Sequence, residues 1–288
     1  MRAALLVTCV ADLFAPQVAD AAVDVLAAGG CEVTCPEGQT CCGQPAWNAG
    51  FADDAARVAA TTLDALADAL DRGADVVVVP AGSCAAMIRR SWPELFAEVG
   101  DHERSRRAAR VAGRTWELTE LVPHLDLPPL ALDPPQRVAW HHSCHLLREL
   151  EHPDAPGVLD GVTGCERVAW SADDRCCGFG GLFSVKLPEV SVAMADDKLA
   201  SLAAAEPAAD VVVSADASCL LHLRGRMDAA GIATPTRHVA EVLAAALLPV
   251  ATHGDPPATH GAPDGLASVE STSIRRDPSA ANPDRHRA

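Results

Sequence analysis

One cysteine spacing occurs twice in this chain and limits what it can fold into. Cys9, Cys41, Cys42 and Cys84 are separated by 32, 1 and 42 positions, and Cys144, Cys176, Cys177 and Cys219 repeat those separations 135 residues later. Both adjacent pairs run into glycine, at Gly43 and Gly178. Other positions keep the offset: Gly29 with Gly164, Ser83 with Ser218, and Asp75-Val76-Val77-Val78 with Asp210-Val211-Val212-Val213. Self-similarity at a fixed offset marks an internal duplication. Each half must therefore bring four sulfurs to equivalent places. Cys31, Cys35 and Cys165 stand outside the pattern and read as small buried apolar side chains.

Each half reads as alternating strands and helices, which implies a parallel α/β sheet in each. In the first half "AALLVT", "CEVTCP" and "ADVVVVP" are strands. Pro16 opens a helix that Gly29-Gly30 closes, and an alanine-rich helix runs from about Phe51 to Arg72 with Leu63, Leu66 and Leu70 on one face. A further helix is expected around "RTWELTELV", followed by a Pro-rich linker, "LDLPPLALDPP". The second half repeats the scheme: strands "RVAWHH", "CERVAWS" and "ADVVVSA", one long helix "SVKLPEVSVAMADDKLASLAAA" and a closing helix "TRHVAEVLAAALL". The expected domains are residues 1–133 and 134–249, with 250–288 a disordered tail because periodicity gives way to Pro, Gly, Ser, His and Asp. Cys9, Cys84, Cys144 and Cys219 each follow a strand, at the carboxyl edge where sites assemble in open parallel sheets. Cys84 and Cys219 also open helices, whose positive ends favour thiolates.

The formal net charge of −16 argues against binding nucleic acid, and five Trp, five Phe and no Tyr leave little for base stacking. No segment is apolar for long enough to span a bilayer. The opening "MRAALLVTCVADLF" has the look of a short signal peptide, but Asp12 interrupts it, so it reads as a first strand with the cytoplasm as the expected compartment. There, eleven cysteines point to metal or redox chemistry rather than disulfides. Vicinal disulfides need a strained ring. Zinc usually takes short C-x(2–4)-C knuckles, which are absent here, although it remains an alternative for one or both halves. Iron–sulfur clusters accept long spacings, and adjacent cysteines reach different irons of one cluster, so this reading leads.

The repeated C-x(31)-C-C-G-x(n)-C pattern resembles the cysteine-rich CCG domain found in heterodisulfide reductase and in the iron–sulfur subunit of glycolate oxidase. "GCEVTCPEGQTCCGQPAWNAG", "PAGSC", "HHSCHLLREL", "CCGFGGLFSVKLPEVS" and "ADASCLLHL" more closely resemble the lactate-utilisation protein A family, over nearly all of residues 1–248. The resemblance implies two tandem, Rossmann-like CCG domains facing each other, in an oxidoreductase subunit of an L-lactate dehydrogenase complex that forms pyruvate. It implies two partners, a ferredoxin-like iron–sulfur subunit and a small third protein, and an organic acid substrate. It also implies one cluster per half, on Cys9, Cys41, Cys42 and Cys84 and on Cys144, Cys176, Cys177 and Cys219. A CCG subunit acting on glycolate or a disulfide, and a zinc-stabilised scaffold without redox role, are the alternatives. One departure bears on cluster type. The CCG domain of heterodisulfide reductase ends its motif in C-x-x-C, whereas Ala81 and Asp216 stand at that position here. Four thiolates per half suit an ordinary [4Fe–4S] cube, with Asp216 either an oxygen ligand or a surface carboxylate.

Around the second motif, His141 and His142 face opposite sides of a strand, so at most one points to the site, while His145 begins the next helix. His142 and His145 are candidates for ligation or proton relay, since histidine titrates near neutrality; hydrogen bonding to cluster sulfur and structural packing are the alternatives. Arg148 and Lys186 are candidates to hold a carboxylate, against solvated charges. Gly178, Gly180 and Gly181 let backbone approach a cluster. "GFGG" lacks dinucleotide-binding spacing, so no nicotinamide or flavin site is assigned. Trp47 and Phe179 either shield the clusters or pack ordinarily.

Overall fold

The apolar strand that opens each half lies inside a sheet, not at its edge. A computed structural model describes residues 1–247, and the expected tail from residue 250 lies outside the described residues. In the first half, β1 (Arg2–Leu5), β2 (Glu32–Thr34), β3 (Val76–Val79) and β4 (Thr115–Glu117) form one parallel sheet in the order β2-β1-β3-β4. In the second, β5 (Leu130–Trp140), β6 (Val162–Val168), β7 (Val211–Ser214) and β8 (Thr236–His238) form another in the order β6-β5-β7-β8. The register repeats as well: Ala3 pairs with Val76, and Val138 with Val211, each shifted by 135. Val77, Val78, Val79, Val211, Val212 and Val213 are buried, as continuous β-branched runs are in sheets covered on both faces. Both halves also tie the equivalent point of this opening strand the same way, at the start of β1 and inside β5. Asp75 accepts from the Arg2 N–H at 2.7 Å, and Asp210 from the Arg137 N–H at 2.8 Å.

A single buried cluster contains Leu5 and Val77 of the first sheet with Val138, Trp140 and Val213 of the second. The Val239–Leu247 helix of the second half packs on the Gln17–Ala28 helix of the first, burying Val242 and Leu243 beside Val25 and Leu26. The two halves therefore share this core, and the second half adds a separate cluster around Trp170, Leu199, Leu223 and Met227.

Three expectations are corrected. Residues Thr115–Glu117 and Thr236–His238 are edge strands, not the starts of helices. At three residues each they are too short to show a period, and the helix that follows masks them. Second, the Pro-rich linker is partly strand. Pro134 and Pro135 fall at a register shift between Ala131 and Gln136, where the missing N–H groups interrupt no regular ladder. Third, the long helix of the second half is two, Leu182–Lys186 and Pro188–Ala203, because Leu187 precedes proline and sits outside the helical region at φ −130°.

The two edge strands end in matching capping boxes. The Glu117 N–H donates to Glu120 at 2.9 Å and Thr119 N–H to Glu117 at 2.7 Å. The His238 N–H donates to Glu241 at 2.8 Å and Ala240 N–H to His238 Nδ1 at 3.1 Å. The repeat therefore continues past Cys84 and Cys219.

Glu117 is fully buried, and burial pushes its carboxyl up from the ordinary 4.5 to about 8. Between those values the unfolded chain ionises while the folded one keeps its proton, so stability falls as pH rises through this window. Glu117→Gln should flatten that slope in urea unfolding followed from pH 5 to pH 8. It should raise stability at pH 8 by on the order of 2 kcal/mol, after the cost of an orphaned amide.

Candidate functional site

Parallel strands deliver their carboxyl ends to one edge, and each half uses that edge for sulfur. Cys9 begins the Cys9–Phe14 helix beyond β1, and Cys84 lies in the first turn of the Gly82–Ala86 helix beyond β3. Cys144 caps the turn His145–Glu149 beyond β5, and Cys219 lies in the first turn of the Ala217–Ala230 helix beyond β7. The two CCG loops supply the rest. Cys9 Sγ lies 3.6 Å from Cys41 Sγ, and Cys42 Sγ 3.3 Å from Cys84 Sγ. All eight cysteines of the repeated pattern line a single cleft between the halves, with Val10, Pro45 and Phe179 as apolar wall.

The glycine of each triplet is required by conformation and by space. Gly43 and Gly178 have φ of +85° and +89°. A Cβ there would lie 2.7 Å from the Ala55 carbonyl oxygen or 2.5 Å from that of Ser191. The turn aims backbone donors at sulfur. Gly43 N–H points to Cys41 Sγ and Gly178 N–H to Cys176 Sγ, both at 3.4 Å, and Phe179 N–H to Cys177 Sγ at 3.5 Å.

These contacts set the charges. Hydrogen bonds from Cys42 and Cys9 bring Cys41 down to about 3, and bonds from Cys144 and Cys177 bring Cys176 down to about 2. The donors move the other way: Cys9, Cys42, Cys144 and Cys177 are raised by the sulfurs they bond and by burial. Cys41 and Cys176 are thus the sulfurs each half makes most acidic, with neighbouring thiols as donors. A bound cationic centre removes the repulsion that keeps the others protonated. Cys219 departs from the expected helix-start effect. Its bond with Cys177 lowers it, but burial and the Asp216 charge carry it upward.

The other candidates divide. His145 lines the cleft, with Nδ1 3.5 Å from Cys144 Sγ and Nε2 3.4 Å from Glu149. His142 is half-buried against the Trp140 ring, away from the cleft wall, and burial lowers its pKa. Arg148 is exposed and does not line the cleft. Lys186 is exposed in an adjoining hollow with Asn48, Gly180 and Phe183, its Nζ 5.7 Å from the Phe51 ring centre. Phe179 lines the cleft, whereas Trp47 packs on the core. Asp216 is not a surface carboxylate. It is buried, and it accepts from Ser83 N–H in the first half at 3.0 Å and Ser218 N–H in the second at 3.2 Å. Cys31 is buried as expected and Cys165 half-buried, but Cys35 is exposed.

His141 is the strand histidine that points to the sulfurs. Its ring nitrogen and the Cys177 and Cys219 sulfurs all lie within 4.8 Å of one another, and it is fully buried. Burial lowers its pKa to about 3, so it is neutral. Neither ring nitrogen makes a well-formed hydrogen bond among the described residues, although the Asp173 carbonyl lies near enough to oppose the lowering. Lys198 escaped the sequence reading altogether. It is fully buried, with Nζ donating to the carbonyls of Ala172, of Asp173 at 3.3 Å and of Arg175 at 2.9 Å, and lying 4.5 Å from the Trp170 ring centre. Burial lowers it to about 8, which leaves it mostly charged at neutral pH. Its signal was available: at the 135 offset it replaces the core residue Leu63.

Comparison with known proteins decides the family. The pattern of the CCG cysteine-rich domain matches residues 3–89 and again 138–224. Lactate utilization protein A of Shouchella clausii is 40% identical over 245 residues, which cover 84% of this chain and 98% of that protein. The protein of the same name from Geobacillus kaustophilus is 42% identical over the same coverage. The chain belongs to the lactate utilization protein A family.

The donor set of this family member suits a soft metal centre: grouped thiols with one strongly acidic sulfur in each half, N–H groups aimed at sulfur, and a buried imidazole without a well-formed hydrogen bond. Gly178→Ala should therefore displace the second loop and lose about half of the bound metal in elemental analysis. Gly225→Ala, inside the Ala217–Ala230 helix where an added Cβ meets nothing within 4 Å, should retain it.

Proposed function

We propose that this chain is an iron–sulfur electron-transfer subunit of a multi-subunit complex that oxidises L-lactate to pyruvate. The observation that carries this reading is the convergence of two identical cysteine sets on one cleft. Each set, Cys9, Cys41, Cys42 and Cys84 or Cys144, Cys176, Cys177 and Cys219, would hold one iron–sulfur cluster, and four thiolates fit a [4Fe–4S] cube. Such clusters accept and release single electrons. Oxidising lactate releases two electrons and two protons, so the subunit must work with an acceptor. A ferredoxin-like iron–sulfur subunit supplies that acceptor, and a small third protein completes the complex. The names of the relatives point to lactate.

Within the chain, His145 on the cleft wall is placed to hold a proton beside Cys144. Lys186 on the rim offers a cation to an incoming carboxylate. Asp216 is already committed to two backbone N–H groups and is not assigned as a ligand. Arg148 receives no role. Among the described residues no helix is long and apolar enough to cross a membrane.

One observation favours a second occupant. Sulfur pairs at 3.3 and 3.6 Å come near the edge of about 3.8 Å that a tetrahedral zinc with bonds of about 2.3 Å would span. A zinc scaffold is thus the competing reading. Iron, acid-labile sulfide and zinc per chain, measured on protein purified without oxygen, separate the two. About eight iron and eight sulfide are expected for two cubes; zinc without sulfide after anaerobic reconstitution rejects the redox reading. With the partner subunits present, adding L-lactate should bleach the visible cluster absorption. Bleaching by glycolate or a disulfide instead would reassign the substrate.

A further inference from the structure

The two sulfur sets match, but the side chains packed around them do not. His141 stands where the first half has Leu6, and Lys198 where it has Leu63. The backbones correspond: Leu6 N–H donates to the Val78 carbonyl at 2.9 Å, and His141 N–H to the Val213 carbonyl at 2.7 Å, both pairs shifted by 135. All four side chains are buried. The first centre is therefore backed by two leucines and the second by an imidazole and an ammonium.

Structure alone does not require the charge. In the first half Thr62 holds the CCG loop with a hydroxyl, accepting from Thr40 N–H at 2.8 Å and donating to the Cys41 carbonyl at 3.2 Å. In the second half Lys198 does the corresponding work on the carbonyl of Arg175, the counterpart of Thr40. A neutral group suffices to anchor such a loop, and burying an unpaired ammonium is costly. Nor does packing alone account for His141. Its neutral ring makes no well-formed hydrogen bond among the described residues, only a weak contact with the Asp173 carbonyl, and the Cys177 and Cys219 sulfurs lie within 4.8 Å of a ring nitrogen. The one buried carboxylate nearby does not cancel this difference. Asp216 acts on the second-half Cys144 and Cys219, but its carboxylate is engaged by the Ser83 and Ser218 N–H groups, and His141 and Lys198 act together against it.

Hydrogen bonds to cluster sulfur and nearby positive charge both favour the reduced, more negative state. We propose that His141 and Lys198 make the second-half centre the more easily reduced of the two, so that it takes an electron before the first-half centre does. His141 acts through an N–H donated to sulfur, Lys198 through its charge on the Cys177 and Cys219 side. This rests on the iron–sulfur reading above and adds a direction to it: electrons shared between the centres rest in the second half.

The test is a stepwise dithionite reduction of the full chain, prepared without oxygen and followed by electron paramagnetic resonance with redox mediators. Cys219→Ser identifies which signal belongs to the second half. In the unmodified protein that signal should appear first. His141→Leu and Lys198→Met should each lower its reduced-to-oxidised ratio at fixed ambient potential by roughly tenfold, leaving the first-half signal unmoved. Lys198→Arg should stay near the unmodified protein. If Lys198→Met loses iron through loop collapse, His141→Leu decides, since it installs the residue the first half already tolerates. Simultaneous reduction of both centres, or an unchanged ratio in His141→Leu with iron and sulfide retained, overturns the inference and leaves the iron–sulfur function standing. Absence of iron and sulfide from the unmodified protein overturns both.

Discussion

The pairing of the first and third strands of each half is the constraint on which the rest depends. Parallel hydrogen bonding sends both strands out at the same edge of the sheet, and in each half a cysteine follows each of them. Residues 75 positions apart, Cys9 and Cys84 or Cys144 and Cys219, become neighbours without any direct attraction between them. The CCG loop then needs only to fold back across this edge, which its glycine permits by taking positive φ against a helix carbonyl. A shift of β3 by one residue would turn Cys84 away from the other three.

Gathering sulfur in this way creates an electrostatic problem that the fold answers locally. Four thiolates repel one another in a buried pocket, and the protein favours the charge at Cys41 and Cys176, each with a glycine N–H and neighbouring thiols as donors. Such a pocket is unfavourable by itself and well matched to a cation. The same donors that favour this charge are oriented toward whatever the sulfurs hold. Folding and binding at this cleft are thus two descriptions of one set of contacts.

Duplication supplied two such pockets, and divergence then acted on their surroundings rather than on the ligands. The strand register, the Asp75 and Asp210 tethers and the capping boxes at Glu117 and His238 all persist. What differs lies at the back of the sites, where His141 and Lys198 correspond to Leu6 and Leu63, and between them, where Asp216 corresponds to Ala81. Asp216 now joins the halves by accepting from a backbone N–H on each side.

Most of the plan was legible in the chain because a fixed spacing survives folding unchanged. The repeated cysteine intervals, the valine runs and the Pro and Gly punctuation specified two parallel α/β halves with sulfur at equivalent edges. Edge strands at Thr115 and Thr236 were not legible, because three residues carry no period and a capping box after them looks like a helix already begun. Lys198 was legible only through the repeat, which aligns it with the core residue Leu63, whereas that Arg148 stays exposed is shown only by packing. Asp216 looked like a surface group until Ser83 of the other half supplied its partner. The sequence by itself determined which sulfurs belong together, because covalent spacing and strand pattern are local properties. Only the tertiary structure decided that both sets open onto one cleft and that one is backed by leucine and the other by charge, because burial depends on what the distant half brings alongside.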